Sequence, residues 1–314
     1  WILNGLTKKI VLSDYLAVNF IDRVFDNPLL FSGFENMFAV FTYSLQVYAD
    51  FSGYTDIAIG LALLMGFYLP KNFDSPYKSR TPQEFWRRWH MSLSRWLKSY
   101  VYIPLGGNRT LFGKPVSKLL ASNINSFATM LIGGLWHGAS WNFVIWGGLN
   151  GIGMIFAKCW HALKVKVLGR LPEKMQQLMP RLYRTIISFD NGLCVLMTFT
   201  FVTFTRLFFR SGSNLDPETA NRVAWETAQN MLSQIFGAWN SQIILPFLVE
   251  YKTIVLLFLF GMLIHWLPAK FKHWYRLQFA LMPLWLMALV VTIVIVVLYQ
   301  FVTADMQPFI YFQF

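Results

Sequence analysis

The sequence predicts an all-α protein, a polytopic transmembrane helical bundle with broken or re-entrant helices and an interfacial amphipathic helix. Three observations predict it. Of the 314 residues, 55% are hydrophobic and only 13% charged, whereas soluble domains carry about a quarter charged residues; mean hydropathy is +0.44. Several apolar runs reach the roughly 20 residues that a helix needs to cross a bilayer. Lys and Arg gather between those runs, as they do in the cytoplasmic loops of membrane proteins. That placement also explains the net charge of +12, which in a soluble chain would suggest nucleic acid. Membrane lipid is therefore the expected surroundings, and nucleic acid is not an expected partner.

Taken in order, residues 34 to 69 are apolar but hold Asp50 and Asp56 around Gly53-Tyr54. The run is too long for one simple span and reads as two spans or one broken helix. Residues 71 to 118 carry ten Lys and Arg against Asp74 and Glu84, the strongest cytoplasmic signal in the chain. Inside this segment Thr81-Pro82-Gln83-Glu84 fits a capping box, with Thr81 as N-cap and Pro82 at the first helical position. Trp86, Trp89, His90, Leu93, Trp96, Leu97 and Tyr100 follow at helical spacing on one face. The pattern suits one helix lying in the membrane interface or packed at its inner edge.

Residues 119 to 157 form a second overlong apolar stretch, which the glycines at 133–134, 138 and 147–148 are expected to break. Residues 158 to 184 are basic again and read as a loop. Basic segments on both sides of the stretch favour a hairpin or a pair of broken helices. Residues 186 to 209 read as one span, and 210 to 242, with Asp216, Glu218 and Glu226, as an external loop. Residues 243 to 267 form a span interrupted by Glu250 and Lys252. Lys270, Lys272 and Arg276 mark a short cytoplasmic turn, and 279 to 302 make the last span, leaving the C-terminus outside. No internal repeat or low-complexity linker divides the chain, so residues 1 to 314 read as one membrane domain. The start at Trp1, with no charged n-region or cleavage site, suggests a fragment of a longer protein. Cys159 and Cys194 lack framework spacing and read as small buried hydrophobes.

His137, in Gly133-Gly134-Leu135-Trp136-His137-Gly138, falls well inside an apolar stretch. Ionisable residues there are costly and raise a functional hypothesis by default. A neutral imidazole can take up a proton and return it, although a packing histidine bonded to a neighbouring helix is the competing reading. His90, on the aromatic face of the capped helix, is a weaker candidate for the same reasons. His161, His265 and His273 lie at span ends or beside basic loops and read as interfacial. Asp50 and Asp56 could line a polar tunnel, orient a histidine, or cap a break at Gly53. Six residues of separation is about 600° of helix rotation, so the two do not share a face, and paired-carboxylate catalysis is poorly supported. No serine-hydrolase elbow, P-loop, zinc-protease or dinucleotide motif stands in a context that would carry its mechanism, and no metal site is expected.

Four runs together carry a resemblance. They are Tyr48-Ala49-Asp50-Phe51-Ser52-Gly53-Tyr54-Thr55-Asp56, Phe85-Trp86-Arg87-Arg88-Trp89-His90, Tyr102-Ile103-Pro104-Leu105-Gly106-Gly107-Asn108-Arg109 and Leu135-Trp136-His137-Gly138-Ala139, with Pro308-Phe309-Ile310-Tyr311-Phe312-Gln313-Phe314 at the end. In this order they resemble the membrane-bound O-acyltransferase family, in particular its bacterial alginate-acetylating branch. The resemblance implies a tunnel through a bacterial inner membrane, with an acyl donor entering from the cytoplasm and an acceptor hydroxyl from outside. It implies His137 as catalytic histidine and His90 as a second catalytic histidine or a structural or tunnel-lining one, with Asp50, Asp56, Trp136 and Asn142 as candidates to line the tunnel. Acetyl-CoA is the implied co-substrate, with no bound cofactor. The implied partners are an extracytoplasmic SGNH-type acetyltransferase and a polysaccharide acceptor such as alginate. The family's chains carry further N-terminal spans, so this one is expected to be the C-terminal two-thirds. A transporter or flippase would share broken helices and intramembrane Asp and His; a non-catalytic scaffold for the extracytoplasmic enzyme is the third class.

Overall fold

Ser32 opens the longest helix with a complete capping box. Its hydroxyl accepts from the Glu35 N–H, and Glu35 Oε2 accepts from the Ser32 N–H at 2.8 Å, so two orphan donors of the first turn are satisfied. The computed structural model describes residues 1–302 and 309, apart from 112, 139, 170 and 212–215. In chain order the helices are α1 (Ile2–Thr7), α2 (Asp22–Asp26), α3 (Gly33–Leu64), α4 (Pro82–Arg88), α5 (Met91–Leu97), α6 (Lys118–His137) and α7 (Trp141–Leu168). There follow α8 (Leu171–Leu178), α9 (Pro180–Arg210), α10 (Pro217–Gly237), α11 (Ile244–Glu250), α12 (Lys252–Trp266), α13 (Ala269–Ala280) and α14 (Leu284–Phe301). Wide π-type turns join α1 to α2. The described strands are one short antiparallel pair, β1 (Thr110–Leu111) with β2 (Lys114–Pro115). The predicted all-α class holds.

By length and composition, α7, α9 and α14 can each cross a membrane, and α11 with α12 can form a fourth span bent by 87°. That bend falls at Tyr251, where Glu250 and Lys252 were expected to interrupt the run. The chain divides into two units, one of residues 1–72 and 222–314 and the other of residues 73–221.

In the first unit, α3 is a single 32-residue helix, not the two spans or broken helix expected of residues 34–69. Its buried carboxylates do not interrupt it because lysines of the N-terminal helical run neutralise them. Lys9 Nζ stands 2.7 Å from Asp50 and 2.8 Å from Asp14, and Lys8 Nζ stands 2.7 Å from Asp56. Gly53 ends nothing. A Cβ there would stand 2.9 Å from the Gly5 carbonyl oxygen, so its missing side chain lets α1 lie against α3. His265 is buried, edge-on to Tyr48 at 4.8 Å. The turn expected around Lys270 to Arg276 is helix α13.

In the second unit, α6 and α7 form a hairpin. The chain breaks only beside Gly138, while the other glycines expected to break it lie inside helices. A Cβ on Gly134 would overlap the Phe143 carbonyl, and one on Gly147 would stand 3.2 Å from Gly134 Cα. Small residues at such crossings let helix backbones approach in a membrane. Gly134→Val is accordingly expected to destabilise the hairpin by about 1–3 kcal/mol, read as a lower melting midpoint of the detergent-purified protein; an unchanged midpoint would show that the helices can part freely.

The basic segment 158–184 is also helical rather than a loop. α7 runs on to Leu168, and Lys164 Nζ pairs with Asp190 of α9 at 2.8 Å. The acidic stretch read as an external loop contains α10. Cys159 is exposed and Cys194 half-buried, against the burial expected of both. Of the C-terminal run 308–314, only Phe309 lies within the described residues, as Ala139 of the histidine motif does not.

Candidate functional site

Residues 82–100 were expected to make one helix with a single aromatic face. They make two short ones that meet at His90. Thr81 caps α4 by accepting from the Glu84 N–H, but Glu84 Oε2 takes the Arg80 N–H instead of returning to Thr81. Burial disfavours the Glu84 carboxylate, yet hydrogen bonds from the Arg80 backbone and the Arg88 side chain outweigh it, and its pKa lies below the usual carboxylate range. Trp89 then turns extended and His90 takes left-handed angles, φ 42° and ψ 57°. Histidine is among the few non-glycine residues enriched in that region. Backbone carbonyls at the break are answered: Arg88 C=O accepts from the Asp74 N–H at 3.0 Å and Trp89 C=O from Ser94 Oγ at 3.2 Å.

The break matters because it carries His90 toward α6. His137 is the last residue of α6 and only 6% exposed. The Trp136 ring lies near both imidazoles, 4.9 Å from the His137 ring and 6.3 Å from that of His90. Trp146 of α7 and Phe209 of α9 meet His137 edge-on at 5.2 and 5.1 Å, and Phe143 lies 6.3 Å away. Three helices thus box one imidazole in aromatic rings. His90 is 9% exposed; burial lowers its pKa to about 4, which leaves a neutral ring able to accept a proton. Its Nδ1 is 3.4 Å from Ser92 Oγ.

Asn142, at the start of α7, donates to the carbonyls of Phe208 and Ser211 at 3.1 and 3.2 Å. It ties the end of α9 beside the box, and what the structure shows is this staple. Trp136 is half exposed next to both histidines. Asp50 and Asp56 belong to the first unit, where each pairs with a lysine. Arg206 passed unremarked in the sequence. It sits in the apolar α9, 4% exposed, with its guanidinium 4.5 Å from the Trp89 ring and bonded to the Tyr77 hydroxyl. An arginine inside an apolar run is a visible signal; what it faces is not.

A model of the membrane-bound O-acyltransferase family matches residues 2–200. The chain belongs to that family. As a membrane-bound O-acyltransferase family member it is a membrane protein, and its similarities to curated relatives are substantial. It is 42% identical over 208 residues to a peptidoglycan O-acetyltransferase of Helicobacter pylori, covering 66% of this chain and 34% of that one. It is 38% identical over 240 residues to a probable alginate O-acetylase of Pseudomonas aeruginosa, covering 76% and 38%. With a teichoic acid D-alanyltransferase of Bacillus subtilis the identity is 31% over 169 residues, covering 54% and 39%. The chain thus spans roughly a third to two fifths of the length of these relatives.

Proposed function

We propose that this family member transfers an acetyl group from a cytoplasmic thioester, acetyl-CoA, toward hydroxyls of a cell-envelope polysaccharide such as alginate. The supporting observation is the buried His137 imidazole, boxed by Trp136, Trp146 and Phe209, with the His90 ring 6.3 Å from that of Trp136. In this reading His137 takes the proton of the acceptor hydroxyl as its oxygen attacks the thioester carbonyl. The carbon–sulfur bond then breaks, and the thiolate leaves with the proton returned by His137. The aromatic walls keep bulk water from competing as nucleophile. His90 lies close enough to serve the same proton transfer as a second catalytic histidine. Trp136, Asn142, Asp50 and Asp56 are carried as tunnel-lining proposals, with an extracytoplasmic SGNH-type acetyltransferase as partner and multi-pass insertion in the bacterial inner membrane. The names of the acetylating relatives support acetyl as the group; the name of the D-alanyl relative widens the class to other acyl groups.

The test uses the full-length protein in sealed vesicles with acetyl-CoA labelled in the acetyl group outside the cytoplasmic face. The expected result is free CoA outside and label on an acceptor hydroxyl. Intact labelled thioester inside the vesicles would mean a carrier. No thioester cleavage, with envelope acetylation still dependent on the protein's presence in cells, would mean a scaffold.

A further inference from the structure

His90 holds a left-handed backbone conformation, φ 42°, and strain of this kind persists only where the surroundings over-determine it. The surroundings here converge on the preceding residue. Trp89 stacks on Phe85 at 5.6 Å and meets Phe73 edge-on at 5.0 Å. A cation meets the same ring. The Arg206 guanidinium lies 4.5 Å from the Trp89 ring, 5.4 Å from that of Tyr77 and 5.7 Å from that of Phe85, and it donates to the Tyr77 hydroxyl.

The identity of the cation is informative. Arg206 sits in a helix apolar enough to cross a membrane, where a charged side chain is costly and usually has a task. A planar guanidinium can stack on an indole and hold a hydroxyl at its edge at once, which an ammonium cannot. Cation–π contacts gain strength when desolvated, and this one is buried. Three residues further along the same helix, Phe209 forms a wall of the His137 box. One helix therefore presents both a wall to His137 and a clamp to the residue that aims His90.

We propose that Arg206 is a positioning residue of the acyl transfer: it clamps Trp89 and thereby fixes the turn that points His90 toward Trp136 and His137. The inference rests on the reading of His90 as a participant in the reaction. In this role Arg206 acts through Trp89. Arg206→Lys keeps the charge but loses the planar stack, and Tyr77→Phe removes only the hydroxyl that orients the guanidinium.

The experiment is a double-mutant cycle on the full-length enzyme in membranes, with kcat and KM for acetyl-CoA measured at matched amounts of folded protein. Arg206→Lys is expected to lower kcat about ten- to a hundredfold, the scale of a small misplacement at a reacting centre, with KM changed less than about threefold. Tyr77→Phe should move the same way by a smaller factor. In a His90→Ala background, Arg206→Lys should cost nothing further. Equal losses in both backgrounds would overturn the inference while leaving the His90 reading intact, as would a wild-type kcat in Arg206→Lys. A wild-type kcat in His90→Ala would instead overturn the His90 reading and the inference with it. Should Arg206→Lys fail to accumulate, Tyr77→Phe alone decides: a drop in kcat present in the wild-type background and absent with His90→Ala supports the clamp, and any other pattern rejects it.

Discussion

His137→Ala in the full-length enzyme is expected to lower acetyl transfer by about 100- to 10,000-fold, the usual contribution of a positioned general base. The physical basis is that nothing else in the box can take its place. Trp136, Trp146, Phe143 and Phe209 have no proton-accepting group, and His90 belongs to the turn between α4 and α5 rather than to the box. Truncation also leaves a cavity among aromatic rings, so loss of folded protein has to be separated from loss of chemistry. His137→Phe fills that space without a base and should be as inactive as the alanine variant at matched membrane levels. Unchanged acetylation in either variant removes His137 from the reaction.

The largest effect on stability is expected at Lys9. Its one ammonium contacts both Asp50 and Asp14 inside the first unit, and the residue is 8% exposed. Removing one partner of a buried ion pair typically costs about 3–5 kcal/mol, because the opposite charge is left without compensation. Lys9→Met should therefore lower the melting midpoint of the purified protein sharply or prevent its accumulation. Adding Asp50→Asn and Asp14→Asn should restore much of it, since the cost lies in the orphaned carboxylates rather than in lost packing. A Lys9→Met protein as stable as wild type would mean that water reaches this cluster and screens it.

The same cluster shows why residues 34–69 were misread. A sequence lists Asp50 and Asp56 as charges inside an apolar run, and charges there argue for a break. The partners that remove the argument, Lys8 and Lys9, lie some forty residues earlier and reach them only through tertiary packing. A local signal was present, since Ser32-x-x-Glu35 marks the start of one long helix. The glycines of residues 133–148 misled similarly. Conformational freedom and close approach are both reasons for glycine, and only the crossing of α6 with α7 shows that the second applies at Gly134 and Gly147.

The histidine pair was more legible. Both members could be named from residue type, apolar context and the resemblance carried by four ordered motifs. Their relation could not, because the periodicity of Trp86, Trp89, Leu93 and Leu97 is satisfied as well by a straight helix as by two short ones. The turn at His90 is decided by groups distant in the chain, Asp74 at the Arg88 carbonyl and Arg206 on the Trp89 ring.

The sequence by itself determined the solvent of this protein, its helical class and its family, and it offered His137 as a candidate to take a proton. These depend on composition, on runs long enough to span a bilayer and on ordered motifs, all properties of neighbouring residues along the chain. The tertiary structure alone decided which charges are neutralised, which glycines are contacts rather than breaks, and how His90 and Arg206 stand relative to the His137 box. Those depend on distances between residues far apart in sequence. In a low-dielectric interior the cost of a charge or a strained turn is set by the neighbour that compensates it.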